Sequence, residues 1–145
     1  VAAILLGGVL TNEATGISGF LRVMLTPIFQ GMSSTVFIIL LLALGGILTN
    51  LCNSLVIGML LQPIIITYCT QAGADPRPIV TLMIQFVLLS ACVTPAASPF
   101  AALLHSNKEW VPTKYVYSYT LPMVLIELVL MLIIGIPVAT ILCGA

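Results

Sequence analysis

Residues 48–55 read LTNLCNSL, and they lie between two strongly apolar stretches of the chain. Within them Thr49, Asn50, Asn53 and Ser54 offer amide and hydroxyl groups, but no charge and no proline is present. Such groups are costly at membrane depth unless they are paired or bind a ligand. The position of this segment relative to the membrane therefore decides both the fold and the function that the sequence predicts.

The composition is that of an integral membrane protein. The chain has 145 residues, of which 61% are hydrophobic and 6% are charged, and its mean hydropathy is +1.26. Soluble domains carry about a quarter charged residues. Four basic and four acidic residues cancel, so we expect no nucleic-acid partner. Because the sequence opens inside an apolar run without an initiator Met, we expect it to be the C-terminal part of a longer protein. We expect that protein to be a multi-pass protein of the cell (inner) membrane.

Hydropathy predicts an all-α integral membrane fold in five segments. A spanning helix needs about 20 apolar residues, whereas spaced apolar residues with occasional charges suit an interfacial helix. The predicted segments are the end of a transmembrane helix with an interfacial amphipathic arm (1–30), a helical hairpin (31–73), a broken transmembrane helix (74–106), a polar loop (107–119) and a C-terminal transmembrane helix (120–145).

The hairpin has two possible placements. Its apolar runs, 33–49 and 55–68, are short for membrane spans, so they form either two spans with a tiny turn or a re-entrant pair that enters the membrane and returns. A turn that reaches water usually carries charge, Gly or Pro, as QAGADPRP (71–78) does. Residues 49–54 carry neither charge nor Pro, which favours the re-entrant hairpin with its tip at membrane depth.

A second interruption follows at VTPAASPF (93–100), where Pro95 and Pro99 stop the apolar run 79–93. The chain continues apolar to Leu104, so we predict one span over 79–105 that is broken near its middle. The simpler alternative is a proline kink whose hydroxyl groups satisfy the lost backbone bonds. The aromatic residues that follow, over 110–119, are typical of an interfacial belt.

Two unwound stretches at membrane depth are the way in which secondary transporters build binding sites. We expect the second hairpin arm to begin near Ser54 and the second half-helix near Phe100, each offering free N–H groups to an anion. Asn53 and Ser54 would then donate to a carboxylate, with hydroxyl contacts from Thr94 and Ser98. The alternative is that the polar tip only joins neighbouring helices through hydrogen bonds.

Oxygen ligands in the same two stretches suit a hard cation such as Na⁺. The predicted sodium-binding residues, acting largely through carbonyls around 50–53 and 94–97, are Thr49, Asn50, Cys52, Asn53, Thr94, Ala96 and Ala97. The lone His105 has no Cys or carboxylate cluster beside it, so no metal besides Na⁺ is expected. No organic cofactor is expected either.

These motifs resemble a known family. LTNLCNSLVIGMLLQPI (48–64) is similar to the hairpin tip of the divalent anion:sodium symporters, the dicarboxylate/citrate/sulfate group of the ion transporter superfamily. Cys52, Asn53 and Ser54 occupy the places of the family's Ser-Asn-Thr signature, so Cys and Ser are departures and Asn53 is the residue that matches it. VTPAASPFAALL (93–104) resembles its Thr-Pro loop, and LLGGVLTNEATGISGFL (5–21) its Gly-Gly segment and interfacial arm.

The resemblance implies half of an inverted-repeat transporter. The chain would be the second repeat, working with an N-terminal repeat of the same protein in a homodimer embedded in the lipid bilayer. It would carry a small anion, a di- or tricarboxylate or a sulfate-like ion, coupled to Na⁺ by an elevator mechanism. The hairpin and broken helices would move against a fixed scaffold.

Two rival functions and one exclusion follow from the remaining residues. A proton-coupled or exchanging antiporter of the same superfamily would need an essential intramembrane acid, and Glu127 is the candidate, although it could instead snorkel to the interface. A non-transporting membrane assembly subunit would need no broken span. No nucleophile with a base, no phosphate-binding loop and no G-x-S-x-G motif occurs, so we do not expect an enzyme.

Overall fold

The computed structural model describes residues 32–143 together with Gly16, Gly19, Phe20, Val23 and Pro27. Most of the predicted arm over 1–30 therefore lies outside the described residues. Within the described part every regular element is helical. The elements are α1 (Ser34–Leu51), α2 (Ser54–Ala72), α3 (Arg77–Leu89), α4 (Pro99–Ser106), α5 (Thr113–Leu130), a π-helical turn (Met131–Gly135) and α6 (Ile136–Cys143).

Helices α1 and α2 form an antiparallel hairpin. Only Cys52 and Asn53, both extended, join the two helices. At the opposite end the Phe37 ring stacks on Tyr68 with the ring centroids 3.6 Å apart. The Tyr68 hydroxyl there donates to the carbonyl of Met32 over 3.1 Å. The start of α1 and the end of α2 are thereby held together. The connector lies at the other end of the hairpin, and residues 49–55 around it are called the tip below.

Among the described residues, three helical segments are long and apolar enough to cross a membrane: α1, α2 and the 31-residue stretch Thr113–Cys143. The chain is therefore membrane-embedded in character, as its composition predicts. The two hairpin arms have 18 and 19 residues, which is roughly 27–29 Å of helix at 1.5 Å per residue. They exceed the apolar runs that the sequence shows, so their length alone does not favour a re-entrant hairpin over two spans.

The core lies between α1, α2 and α3. Its most buried side chains come from all three helices: Phe37, Leu41, Leu42, Leu61, Ile65, Cys69, Met83, Phe86 and Val87. The approach of α1 to α3 is close at Gly46, where a Cβ atom would stand 2.9 Å from Phe86 Cε1. Packing at this distance requires glycine and fixes the end of α1 against the end of α3.

Two predicted boundaries are wrong. Helix α3 ends at Leu89 instead of continuing to Val93, because the carbonyls of Ser90 and Ala91 accept from side chains of Asn50 and Ser98 rather than from further helical N–H groups. The predicted polar loop 107–119 is shorter, because α5 already begins at Thr113. Polar side chains are compatible with an exposed helical turn, and the Ser118 hydroxyl donates to the Lys114 carbonyl over 2.9 Å.

Candidate binding site at the hairpin tip

The side chain of Asn50, in the last turn of α1, is hydrogen-bonded to the non-helical segment 90–98 between α3 and α4, which is called the break below. Its Nδ2 donates to the carbonyl of Gly46 over 2.8 Å and to the carbonyl of Ser90 over 3.0 Å. Its Oδ1 accepts from the N–H of Val93 over 3.0 Å. One amide therefore satisfies two backbone groups that lose their helical partners where α3 ends.

Further hydrogen bonds join the tip to the break. The Thr94 hydroxyl donates to the carbonyl of Asn50, and the N–H of Ser54 donates to the carbonyl of Ala97 over 3.1 Å. Within the break, Ser98 Oγ donates to the carbonyl of Ala91 over 2.7 Å and accepts from the N–H of Ala101 over 3.1 Å, which caps α4. The structure thus brings the two predicted polar stretches together.

The start of α2 does not offer the free N–H groups that we expected. Asn53 caps the helix, with its Oδ1 accepting from the N–H of Leu55 over 3.0 Å. Its carbonyl accepts from the N–H groups of Val56 and Ile57, while Ser54 donates to the break. The expectation is wrong because the capping residue and the neighbouring loop satisfy all four terminal N–H groups.

The four predicted substrate residues divide into two pairs. The donors of Thr94 and Ser98 are used inside the protein. Asn53 Nδ2 and the Ser54 hydroxyl have no hydrogen bond within the described residues. An anion at the tip would therefore meet an amide and a hydroxyl donor from adjacent residues.

A cavity of about 190 Å³ lies beside Ser54, between α2 and α3. Gly58 and Gln62 line it one and two helical turns further along α2, since residues four apart share one face of a helix. Gln62 is a half-buried amide that is absent from the site residues predicted from the sequence. The spacing of four between a polar tip residue, a glycine and an amide is the signal that would have found it.

The predicted sodium ligands have different surroundings. Thr49 is fully buried and donates to the carbonyl of Val87 over 3.3 Å, so its hydroxyl joins α1 to α3. The Cys52 side chain is exposed at the tip. The carbonyls of Cys52 and Ala96 accept no hydrogen bond within the described residues, and such oxygens fit a hard cation.

Ser90 is a further polar residue at this junction, and it too is absent from the predicted set. It is fully buried, and its hydroxyl has no hydrogen-bond partner in the described part of the chain. Its carbonyl accepts from Asn50, so the hydroxyl lies next to the network. An unpaired buried hydroxyl fits an oxygen-binding cation or an ordered water as its partner, and it adds an oxygen to the set that would suit Na⁺.

Glu127 lies in α5, away from the predicted polar stretches in the sequence. Both carboxylate oxygens are buried and lack a hydrogen-bond partner within the described residues. Its helical neighbours Val124 and Met131 pack against the core. The Glu127 side chain therefore points into the protein. It does not extend to an exposed surface, as the snorkelling alternative requires.

Comparisons with protein-family models, with curated proteins and with solved structures find no match to this chain.

Proposed function

We propose that this chain is part of a secondary transporter that moves a small anion, a di- or tricarboxylate or a sulfate-like ion, together with Na⁺. The observation that carries the proposal is the direct hydrogen bonding of the hairpin tip to the break between α3 and α4. Unwound backbone in a membrane protein is tolerated where it lines a site, and paired discontinuous helices are the usual form of transporter sites.

The surface of the tip also supports this function. Leu51 and Leu55 lie at the tip and are 66% and 49% exposed, and no charged residue lies between them. Such a tip suits burial in lipid or in further protein, as in a re-entrant hairpin. On this proposal an N-terminal repeat of the same protein covers the exposed side of the tip. The complete transporter is then a homodimer of the cell (inner) membrane that works by an elevator mechanism.

Coupling to Na⁺ follows from the same network. A ligand shifts a conformational equilibrium only by its different affinity for the two states. A cation held by carbonyls of both the tip and the break, at Cys52 and Ala96, would bind only when the two stretches are docked. It would then fix the donors Asn53 and Ser54 for the anion, so that anion binding depends on Na⁺.

The test is uptake of labelled di- and tricarboxylates and sulfate into proteoliposomes, with and without an inward Na⁺ gradient. Asn53→Asp keeps the oxygen that caps α2 but replaces the free amide donor with a negative group, so it should abolish Na⁺-dependent uptake. Asn53→Ser keeps a capping oxygen without the amide and should weaken uptake. Asn107→Asp, at an exposed asparagine near the end of α4, is the matched control and should transport normally.

Two results would contradict the proposal. One is the absence of uptake of every tested anion by folded protein under the Na⁺ gradient. The other is normal uptake by Asn53→Asp, which would leave the tip with a purely structural role as a hydrogen-bonded joint between helices. A cysteine-accessibility scan over 49–54 provides an independent check, because a bound substrate should protect Cys52 from labelling.

One observation favours a second candidate, proton-coupled or exchanging transport. The carboxylate of Glu127 is unpaired within the described residues and buried in a membrane-spanning helix, and intramembrane acids commonly carry protons. On this alternative, uptake follows a pH gradient without Na⁺, and Glu127→Gln abolishes it. Uptake that depends on Na⁺ and survives Glu127→Gln would exclude this candidate.

A further inference from the structure

A second cavity, of about 610 Å³, lies where α4 ends and α5 begins. Its wall includes His105, Ser106, Lys108, Thr113 and Tyr117. None of the four predicted substrate residues lines it. Lys108 is the only lysine, arginine, aspartate or glutamate among its described lining residues, so the cavity has a positive character that the tip lacks.

Several donors in this wall have no internal partner. The Lys108 ammonium, the Thr113 hydroxyl and the Tyr117 hydroxyl make no hydrogen bond or ion pair within the described part of the chain. Ser106 donates to the carbonyl of Leu103 over 2.9 Å and retains its acceptor capacity. A lysine with two hydroxyl donors around one cavity is a donor set for an oxyanion.

The back of the cavity is fixed by His105. This residue is 6% exposed, and its Nε2 lies 3.0 Å from the carbonyl of Val93. Because a carbonyl only accepts, Nε2 carries the hydrogen. The imidazole ring lies 5.4 Å from the Tyr117 ring, so the histidine holds the tyrosine beside the cavity. The wall is therefore anchored to the break and does not consist of surface side chains alone.

We propose that this cavity binds a phosphate group, carried by an anionic membrane lipid or present as free inorganic phosphate. Trp110 and Tyr119, close to the cavity in sequence, are 85% and 75% exposed, and exposed aromatic rings of this kind mark the membrane interface. Basic pockets between transmembrane helices at that level bind lipid headgroups. Lys108 supplies the charge, and Thr113 and Tyr117 donate to phosphate oxygens.

The experiment measures binding to the purified full-length protein by isothermal titration calorimetry. Three probes are titrated: dioctanoyl phosphatidylglycerol, dioctanoylglycerol with the same chains but no phosphate, and inorganic phosphate against chloride at equal ionic strength. Lys108→Gln should weaken phosphate-dependent binding about tenfold or more. Lys114→Gln, an exposed lysine outside the cavity, should change it by less than about twofold.

The outcomes separate the two sources of phosphate. Saturable binding of the phospholipid but not of dioctanoylglycerol, lost in Lys108→Gln, supports a lipid headgroup. Binding of inorganic phosphate with the same dependence on Lys108 supports a free oxyanion. The proposal is overturned if neither phosphate probe saturates, or if Lys114→Gln weakens binding as much as Lys108→Gln. Thr113→Val removes one donor without changing charge, and it tests the cavity should Lys108→Gln fail to fold.

Discussion

The hairpin and the long C-terminal helix differ in how much of their surface is covered by the rest of the described chain. In the most apolar 18 residues of each segment, the share of buried residues is 39% for α1 and 28% for α2, but only 6% for Thr113–Cys143. The polar side chain of Asn50 is fully engaged, while the carboxylate of Glu127 is not engaged at all within the described residues. The first region supplies its own partners, and the second presents its outer surface to lipid or to further protein.

The largest effect should come from Asn50→Ala, which removes the joint between the tip and the break. The substitution leaves the N–H of Val93 without its partner, while the carbonyl of Ser90 loses the Asn50 amide but keeps the N–H of Cys92. One buried group left unsatisfied costs about 1–3 kcal/mol, and one further lost hydrogen bond costs about 1 kcal/mol, so the free energy of unfolding should fall by about 3 kcal/mol. The measurement is the apparent Tm in one detergent.

Asn107→Ala is the matched control for Asn50→Ala. Asn107 is exposed, and its amide donates only to the carbonyl of Leu103 one turn earlier. Its removal should change the Tm little, because exposed hydrogen bonds exchange with solvent. Equal losses from the two substitutions would show that the Asn50 network does not hold the break in place.

The close approach of α1 to α3 should give the next largest effect. Gly46→Ala places a methyl group 2.9 Å from Phe86 Cε1, and such overpacking costs about 1–3 kcal/mol, less the roughly 1 kcal/mol that alanine gains over glycine in a helix. At Gly58 a Cβ atom meets nothing within 4 Å, so Gly58→Ala should be neutral or stabilising. A stable Gly46→Ala protein would mean that α1 and α3 move apart without cost.

Glu127→Leu should act in the opposite direction from Asn50→Ala. Replacing an unpaired buried carboxyl group with an apolar one removes a desolvation penalty, so the apparent Tm should rise, with a gain of about 1–2 kcal/mol. Thermal unfolding of the complete protein measures it, with Glu127→Gln as the polar isostere. A marked loss of stability would show that the carboxylate has a partner beyond the described residues.

Ser90→Ala should have a smaller effect on stability than on the response to sodium. The hydroxyl has no partner within the described residues, so its removal should change the free energy of unfolding by less than about 1 kcal/mol. If the hydroxyl contributes to a cation site, the increase in Tm on replacing choline with Na⁺ should shrink, since ligands stabilise the state that they bind. An unchanged sodium response in Ser90→Ala would remove this residue from the cation site.

Local features of the fold could be predicted from the sequence, whereas features that depend on contacts between distant residues could not. The sequence does not predict that α1 continues to Leu51 and leaves only Cys52 and Asn53 between the two hairpin helices. The membrane character, a polar turn within residues 49–54 and the break around Pro95 and Pro99 are local properties of composition and of helix-breaking residues, and they are readable without a structure. The end of α3 at Leu89 is not, because it depends on a hydrogen bond from Asn50, which lies 40 positions earlier than Ser90. Side-chain partners at that separation leave no periodic signal.

The candidate site also has features that the sequence predicts and features that it does not. Polar residue types between two apolar runs identify Asn53 and Ser54 as candidates, and the side-chain donors of both residues make no hydrogen bond within the described residues. Residue type does not reveal that Thr49 turns towards Val87 in the core. The π-helical turn at Met131–Gly135 likewise has no pattern in the apolar run. It accompanies a contact between distant parts of the chain, since a Cβ atom at Gly135 would stand 2.7 Å from Leu82 Cδ2.

The smallest effect should come from the exposed loop between α2 and α3, where Asp75 pairs with Arg77 over 2.6 Å. Side-chain and backbone hydrogen bonds from Arg77 hold the pKa of Asp75 below its ordinary value. A lowered pKa in the folded state adds stability above the unfolded pKa of about 4, and this contribution is lost as the pH falls through the folded value. Both groups are solvated, so Asp75→Asn should lower the Tm only slightly at pH 7, less in high salt, and not at all in strong acid. A loss at pH 7 comparable to that of Asn50→Ala would mean that this loop, and not only the tip, fixes the position of α3 against the hairpin.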